Sequence, residues 1–321
     1  MNLSLEFKPF SFDLLRTLQT AKGTIEGKRG WLIKLHDNYQ YGWGEVSPIN
    51  SSELRHCEAI LKNLGSFPSR NDLEKGIKTW PGALGFGIGA ALAEIDCLIG
   101  SKSVQGWLKN THSAFLLPND KSLLSNIDLI LKSNEHKRLN LTFKWKVGTL
   151  NNSEEKKLLK KILEKIPSNA HLRIDANAGW NRIEAQEWAE ILISEPRLEW
   201  LEQPLPPADI NGLKELSKQI PIALDESLIH NPSLRHTWKG WQVRRPLLEG
   251  DPRILLRELN DKVGYRVIST CFETGIGTRW INHLAALQEK GPTPTAAGLA
   301  PGWCPQSNLF SDNPQLVWEA A

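Results

Sequence analysis

Cysteine is scarce in this sequence, and the few cysteines are not grouped. The 321 residues include Cys57, Cys97, Cys271 and Cys304, and no two of them form a C-x-x-C pair. Such pairs are typical of zinc sites and redox-active thiols. Their absence predicts reduced thiols without a special role, as in a cytoplasmic protein.

Three other features are missing as well. The N-terminus, MNLSLEFKPF, has no basic flank before a long apolar run, so we expect no signal peptide. No stretch of about 18 apolar residues occurs, so we expect no membrane span. The net charge is only +3, with 39 basic and 36 acidic side chains, which argues against a dedicated nucleic-acid surface. The chain is 40% hydrophobic, enough for a large core, and no pattern in it indicates a monomer or a homo-oligomer.

Three acidic residues stand where predicted β-strands end. They are Asp175 in HLRIDANAGW, Glu202 in LEWLEQP and Asp225 in PIALDES, separated by 27 and 23 residues. Each interval is about one strand–helix–strand step, and in a parallel barrel such steps bring the strand ends together at the C-terminal mouth. Three carboxylates without histidine or thiolate are ligands that suit Mg²⁺. The spacing therefore predicts a magnesium site.

A pair of lysines precedes these acids. Lys144 and Lys146 in LTFKWKVG alternate along a predicted strand, so both side chains lie on the same face and reach the same mouth. A metal ion beside a lysine base is suited to removing a proton next to a carboxylate. The sequence therefore predicts an enzyme that acts on a small carboxylate molecule.

Each motif also has an ordinary structural explanation. An acid at a strand end is commonly solvated or caps the next helix. Alternating lysines are commonly the exposed face of a strand, and prolines after LEQP simply stop a strand. None of these explains why the acids follow apolar runs (LRI, LEWL, PIAL), where an unpaired charge is costly. The ordered set therefore favours a functional site.

The order of the predicted elements indicates an α/β protein, a (β/α)₇β TIM-like barrel with an N-terminal α+β capping domain. Residues 1–48 alternate like antiparallel strands, and helices are predicted at 52–64 and 82–99. Seven further strands follow at 113–117, 140–147, 170–176, 198–203, 220–226, 241–246 and 265–270. The helices between and after them are predicted at 120–133, 154–166, 183–194, 211–219, 252–263 and 280–288. We predict a capping domain over residues 1–105 and a barrel over residues 106–299 with a reduced eighth unit near 293–298. The tail from about 300 to 321 is predicted to pack back on the capping domain.

Glycines 85, 87 and 89 lie within the second predicted helix, in GFGIGAALAEID. A dinucleotide-binding fingerprint has the same spacing, but here no strand precedes the glycines and no partner acid follows at the right distance. We therefore expect close helix packing at this segment.

The chain resembles the enolase superfamily, specifically its muconate-lactonising-type branch and, within that branch, the o-succinylbenzoate synthases. The resemblance covers nearly the whole length and implies the capping domain and barrel described above. It rests on an ordered set of motifs: GWGEVSP at 42–48, the Lys144/Lys146 pair, IDANAGW at 174–180, LEQP at 201–204, LDES at 224–227 and GLAPG at 298–302.

The resemblance implies roles for five of these residues. Asp175, Glu202 and Asp225 would bind Mg²⁺, for which Mn²⁺ can substitute. Lys146 would be the acid/base. Lys144 would help to hold the substrate carboxylate and would act electrostatically on Lys146.

Arg173, Asn177 and Ser269 are the predicted substrate-binding residues. Arg173 and Asn177 lie two residues either side of Asp175 and therefore share its face. A salt bridge within the barrel is the alternative for Arg173. Ser269 ends the seventh barrel strand. The polar segment TAKGTIEG, residues 20–27, is predicted to be a mobile loop that closes over the site.

One position departs from the family pattern. The family has a lysine before a proline at the end of the sixth barrel strand, and the matching residue in WQVRRPLLEG is Arg245. Arginine does not lose its proton at ordinary pH, so Arg245 is not a second base. It still offers a fixed cation to an enolate or a ring.

The resemblance implies a hydro-lyase, an o-succinylbenzoate synthase. Its reaction is the Mg²⁺-dependent syn dehydration of 2-succinyl-6-hydroxy-2,4-cyclohexadiene-1-carboxylate to 2-succinylbenzoate, in menaquinone or phylloquinone biosynthesis. The alternatives are an N-succinylamino acid racemase or dipeptide epimerase of the same branch, and a catalytically inactive barrel that acts as a scaffold. The short chain and the loss of the second family lysine favour the synthase.

Overall fold

The protein is described here by a computed structural model that covers residues 2–100, 103, 106–110, 112–134 and 141–321. The strands within these ranges are β1 (Ser4–Thr20), β2 (Gly23–His36), β3 (Tyr41–Val46), β4 (Phe115–Leu116), β5 (Thr142–Lys146), β6 (His171–Asp175), β7 (Leu198–Glu202), β8 (Ile222–Leu224), β9 (Trp241–Arg244) and β10 (Arg266–Ile268). The seven strands predicted for the barrel correspond to β4 to β10.

The α-helices within the same ranges are α1 (Ser51–Leu64), α2 (Arg70–Gly76), α3 (Gly82–Ile95), α4 (Leu123–Ser133), α5 (Asn152–Lys165), α6 (Arg182–Leu192), α7 (Ile210–Leu216), α8 (Glu226–His230), α9 (Leu234–Thr237), α10 (Pro246–Glu249), α11 (Pro252–Asn260), α12 (Gly275–Glu289) and α13 (Pro314–Ala320). A short 3₁₀ helix spans Asn308–Phe310. No described helix combines the length and the apolar character that a membrane crossing requires.

The chain divides into two compact units. The first consists of Met1–Leu15, Gly27–His112 and Arg244–Ala321, and the second of Arg16–Glu26 and Ser113–Val243. The predicted domain boundary after residue 105 falls on a residue outside the described ranges. The division into residues 1–105 and 106–299 therefore stays a prediction.

The second unit is built on parallel strands in the order β9-β8-β7-β6-β5-β4. Alternation along β5 separates its two faces. Phe143 and Trp145 belong to the hydrophobic core that the sheet forms with its helices, where the Trp145 ring lies 6.3 Å from that of Trp188. Lys144 and Lys146 lie on the opposite face and are nevertheless buried. Two buried lysines on one strand face require acidic partners.

Helix α5 holds the loop that follows β5. Asn151 caps the helix, since its side chain accepts a hydrogen bond from the Glu154 N–H group. Glu155 is 1% exposed and accepts hydrogen bonds from the backbone N–H groups of Gly148, Thr149 and Leu150. The sequence EEKKLLKK at 154–161 has the charge pattern of a solvated helix face, but its second residue, Glu155, is buried.

The segment 20–27, predicted to be a mobile loop, forms the end of a β-hairpin. Strand β1 continues to Thr20 and β2 begins at Gly23, so only two residues form the turn. The hairpin end, residues 16–26, belongs to the second unit. A Cβ atom added to Gly179 would lie 2.6 Å from the Cβ atom of Ala21. The hairpin tip therefore packs against the loop after β6, close to the end of the strand where Asp175 lies.

The first unit contains the antiparallel sheet β1-β2-β3, against which helix α3 packs. A Cβ atom at Gly44 of β3 would lie 1.9 Å from the carbonyl oxygen of Gly87, so glycine at position 44 lets the backbones touch. The prediction of close helix packing at the glycine-rich helix is confirmed. The four cysteines all belong to this unit and are not in disulfide bonds, as predicted.

Glu45 of the GWGEVSP motif caps helix α12 within the first unit. Its Oε2 atom accepts hydrogen bonds from Thr274 N (2.9 Å), Thr274 Oγ1 (2.6 Å) and Gly277 N (3.2 Å). Complete burial raises the pKa of Glu45 to about 7. This part of the motif therefore has a structural role, tying β3 to the start of α12.

At the reduced eighth unit predicted near 293–298, Gly298 forms a parallel bridge with Ser269. In the C-terminal tail, Leu309 and Val317 pack with Phe10, Leu32 and Trp43 from the antiparallel sheet. The tail therefore contacts the antiparallel sheet, which the sequence predicted to belong to the capping domain.

Candidate active site

The predicted site residues of the second unit lie in two layers of strand register. Lys146 pairs with Asp175, and Asp175 pairs with Glu202, across β5, β6 and β7. Two residues earlier, Lys144 pairs with Arg173, and Arg173 pairs with Trp200. All these side chains are buried. Parallel register therefore places a lysine and two carboxylates side by side at the strand ends, above a second layer of cations and an indole.

The two ammonium groups contact the carboxylates directly. Lys144 Nζ lies 2.9 Å from Asp175 Oδ2 and 2.6 Å from Glu202 Oε1. Lys146 Nζ lies 2.7 Å from the same Asp175 oxygen and 2.7 Å from Asn177 Oδ1. Lys144 therefore joins two carboxylates, whereas Lys146 lies between a carboxylate and a neutral amide.

The carboxyl groups differ in their electrostatic surroundings. Burial by itself would raise the pKa of Asp175, but Lys144 and Lys146 hold that pKa below its ordinary value. Burial, and next to it the charge of Asp175, raises the pKa of Glu202. Burial, and next to it the charge of Asp225, raises the pKa of Glu226. The site is thus crowded with negative charge beyond what the two lysines offset.

Asn177 connects Lys146 to Glu226. Its backbone N–H donates to Asp175 Oδ1 at 3.0 Å, and its Nδ2 donates to Glu226 Oε1 at 3.1 Å. Its φ of 44° is in the left-handed region, which asparagine tolerates better than most residues. Backbone of this kind often occurs at functional sites. Asn177 is thereby fixed with its carbonyl oxygen toward Lys146.

Gln203, directly after Glu202, fixes the backbone at Asp225. Its Oε1 accepts hydrogen bonds from Asp225 N and Ser227 N, both at 3.1 Å. Its Nε2 donates to Leu205 O and Ser227 Oγ, both at 2.8 Å. The side chain is fully buried, so every polar group of its amide is used inside the protein. Gln203 therefore sets the spacing between Glu202 and Asp225.

Replacing Gln203 by leucine is expected to lower the free energy of unfolding by about 3 kcal/mol or more. Four buried polar groups would lose their partner, and each loss typically costs roughly 1–3 kcal/mol. Urea denaturation followed by circular dichroism measures the change.

Gln242→Leu is the matched control, because Gln242 is equally buried and donates only to the carbonyls of Arg235 and Trp238. Its Oε1 atom has no hydrogen-bond partner among the described residues, so its loss removes an existing penalty. An equal effect of the two substitutions would contradict the role of Gln203.

Arg173 forms an ion pair and a cation–π contact within the second unit. It is 1% exposed, and its Nε lies 2.6 Å from Glu199 Oε2. Its guanidinium carbon lies 4.0 Å from the centre of the Trp200 ring. The arrangement is the salt bridge that the sequence left as the alternative to substrate binding.

Arg245 and Ser269 belong to the first unit. The Arg245 backbone N–H donates to Glu249 Oε1 and its Nη1 donates to Thr270 O, both at 2.7 Å. The Ser269 hydroxyl donates to Gly298 O at 3.3 Å. The structure thus brings Arg245 close to the residue after Ser269, and their roles stay predictions.

Four residues of the second unit escaped the sequence analysis: Glu199, Trp200, Gln203 and Glu226. Glu199, Trp200 and Gln203 surround Glu202 in the chain, and Glu226 follows Asp225. Polar residues adjoining a buried acid at a strand end were the available signal. Most of their partners lie in other segments of the chain, however, such as Arg173 for Glu199 and Ser227 for Gln203, and the sequence alone does not bring these segments together.

The donor set of this cluster fits a hard divalent cation. Asp175, Glu202, Asp225 and Glu226 supply only oxygen donors, the ligands that Mg²⁺ prefers. Glu226 Oε2 is buried without a hydrogen-bond partner among the described residues. In the described ranges, no group of three or more acidic, histidine or cysteine side chains is arranged to hold a metal ion. Lys144 and Lys146 instead contact Asp175 and Glu202. Ion binding would therefore displace an ammonium group.

Comparison with known proteins shows what this chain is similar to. Residues 136–239 match the model of a family described as enolase C-terminal domain-like. The o-succinylbenzoate synthase of Thermosynechococcus vestitus (strain NIES-2133 / IAM M-273 / BP-1) is 29% identical over 294 residues, 87% of each chain. The crystal structure of o-succinylbenzoate synthase from Thermosynechococcus elongatus BP-1, with Mg in the active site, has a TM-score of 0.78 at 26% identity and covers 99% of this chain and 100% of that chain. This chain has the enolase-superfamily fold.

The enolase-superfamily fold confirms the predicted TIM-like barrel with an N-terminal capping domain. Similarity also extends to a dipeptide epimerase from Enterococcus faecalis V583, complexed with Mg and the dipeptide L-Leu-L-Tyr. That structure has a TM-score of 0.73 at 20% identity and covers 93% of this chain and 90% of that chain. At such identity the likeness shows the fold alone.

Proposed function

We propose that this protein is an o-succinylbenzoate synthase with a Mg²⁺ site at Asp175, Glu202 and Asp225. The observation that carries the proposal is the placement of Lys146 Nζ, 2.7 Å from both Asp175 Oδ2 and Asn177 Oδ1. It puts one candidate base beside the candidate metal ligands. The curated relative at 29% identity, itself an o-succinylbenzoate synthase, supports this reaction among those of the superfamily.

Mg²⁺ held by these carboxylates would stabilise the negative charge that develops on the substrate carboxylate when the α-proton leaves. Lys144 Nζ, 2.6 Å from Glu202 and 2.9 Å from Asp175, would hold that carboxylate and add positive charge beside it. Lys146 would have to leave its ion pair and lose a proton to solvent before its nitrogen is available as a base.

Lys146 would then serve both halves of the dehydration. Its Nζ takes the α-proton from the cyclohexadiene ring and returns it to the departing hydroxyl, so that the C–O bond breaks and water leaves. One nitrogen serves one face of the ring, which makes the elimination syn. The ring becomes aromatic, and 2-succinylbenzoate would enter naphthoquinone biosynthesis, for menaquinone or phylloquinone. The cytoplasmic location stays a prediction.

The alternatives have weaker support. A racemase or epimerase needs a second base, and the matching position holds Arg245. An inactive scaffold would not need two lysines buried against carboxylates, an arrangement that is costly to fold.

A direct assay tests the proposed function. Purified protein with Mg²⁺ is expected to remove the diene absorbance of the substrate and to form 2-succinylbenzoate, and excess chelator should stop the reaction. Asp225→Asn should lose metal affinity and turnover together, because it removes a ligand charge. Full activity in chelator would contradict the metal assignment, and an unchanged diene spectrum would contradict the reaction.

A further inference from the structure

Trp200 lies one register layer below Glu202 and contacts it. The indole Nε1 donates to Glu202 Oε2 at 3.3 Å, and the other carboxylate oxygen accepts from Lys144 at 2.6 Å. Trp200 is completely buried. Each oxygen of Glu202 thus has a different donor: one is a lysine that the reaction uses, and the other is a neutral group with no part in the chemistry.

The indole is itself held in place by charged and aromatic neighbours. The Arg173 guanidinium carbon lies 4.0 Å from the ring centre, within the range of a cation–π contact. Glu199 fixes that guanidinium through an ion pair of 2.6 Å. The Trp241 ring lies 4.9 Å from the Trp200 ring. An indole restrained in this way presents its N–H group in one direction.

We propose that Trp200 is a positioning residue for Glu202, and that Arg173 and Glu199 act by holding the indole. The N–H group fixes the Glu202 carboxylate in the orientation in which it reaches a divalent cation beside Asp175. This inference rests on the metal site of the proposed function and assigns Arg173 to supporting that site. Groups that orient a metal ligand typically change metal affinity by about 10–100-fold when they are removed.

Trp200→Phe tests the role, because phenylalanine keeps an aromatic ring beside Arg173 and Trp241 but has no N–H group. The probe is Mn²⁺ alone, titrated into the full-length protein while the free ion is measured by electron paramagnetic resonance. We expect affinity to fall by about tenfold in Trp200→Phe. We also expect Mg²⁺ to change the near-ultraviolet circular dichroism of the unmodified protein through this indole, and we expect Trp200→Phe to lack that change.

Trp188→Phe is the matched control. Trp188 is also fully buried in the second unit, and its Nε1 donates to Asn152 Oδ1 at 2.8 Å, with no carboxylate involved. It should lose stability as Trp200→Phe does, but keep the Mn²⁺ affinity and the Mg²⁺-dependent spectrum of the unmodified protein. Equal Mn²⁺ affinity in all three proteins would overturn the proposal, and so would equal weakening in both variants.

Glu199→Gln keeps the proposal falsifiable if Trp200→Phe does not fold. It weakens the hold on Arg173 without removing the indole, and we expect a smaller loss of Mn²⁺ affinity; an unchanged affinity would overturn the role given to Glu199. If the unmodified protein binds Mn²⁺ but does not dehydrate the diene, the proposed function fails, and the Mn²⁺ affinities of the variants still decide the role of Trp200. If it dehydrates the diene but the variants bind Mn²⁺ normally, only the role of Trp200 fails. No binding of Mn²⁺ by the unmodified protein would overturn both.

Discussion

Replacing Lys146 by alanine is expected to reduce the rate of dehydration by about 10²–10⁴-fold, the usual contribution of a positioned acid/base. Lys146 Nζ is the group that lies between Asp175 and Asn177, whereas Lys144 bridges two carboxylates. The measurement is kcat/KM for the diene substrate, together with Mn²⁺ affinity and thermal unfolding. The fold should survive, because Asp175 keeps its ion pair with Lys144.

Lys146→Arg separates the proton-transfer role from the charge. Arginine preserves a cation beside Asp175 but does not act as a base at ordinary pH. We expect Lys146→Arg to be nearly as inactive as Lys146→Ala, and Lys144→Ala to lose less activity than either. A loss below about tenfold in Lys146→Ala would contradict the assignment. High activity in Lys146→Arg would show that only the charge matters.

The strands, and the acids at their ends, could be predicted from the sequence for the same physical reason. Strands such as β6 and β7 are apolar runs that end in an acid, and a charge is found at the end of a buried strand only where it has partners. Strand β8 is shorter than predicted, three residues, because the chain turns into helix α8 directly after Asp225. That turn depends on the amide of Gln203, which belongs to another strand end.

Two short helices were missed, because the capping side chains of Ser69 and Asn313 are not by themselves enough to predict a helix of seven residues. Helix α2 has seven residues, and of these only Leu73 is buried. Helix α13 begins at Pro314 and is held by Val317 and by Trp318, whose ring lies 5.8 Å from that of Trp43. Helices of this length are not stable by themselves in water. Their positions depend on residues far away in the sequence.

The contacts around the site were beyond prediction for a related reason. The charge pattern indicated that Lys144, Lys146 and the acids converge, but not which lysine contacts which oxygen. That detail depends on the register of β5, β6 and β7, and the pairing of β6 with β7 shifts between Leu172 and Arg173. Register also explains why Arg173, on the same face as Asp175, lies in the layer below it and meets Trp200.

Arg245 stands where a racemase of this branch needs its second base. A racemase removes the α-proton from one face and returns a proton to the other, so it needs a base on each face. The Arg245 guanidinium donates to Thr270 O at 2.7 Å, and a guanidinium keeps its proton at ordinary pH and so does not act as a base. Syn dehydration needs only Lys146. We therefore expect the unmodified protein to dehydrate the diene and to have little N-succinylamino acid racemase activity.

The rate of α-proton exchange in D₂O can be compared with the rate of racemisation. With N-succinylamino acids, the α-proton of one enantiomer should exchange with retained configuration, and racemisation should be slower than exchange by about 10²-fold or more, the contribution of one missing acid/base. Proton nuclear magnetic resonance measures the exchange and chiral chromatography the inversion. Arg245→Lys restores a group that is able to lose its proton and should raise racemisation relative to exchange. Rapid racemisation of both enantiomers by the unmodified protein would refute the one-base mechanism, and with it the preference for the synthase over the racemases of the same branch.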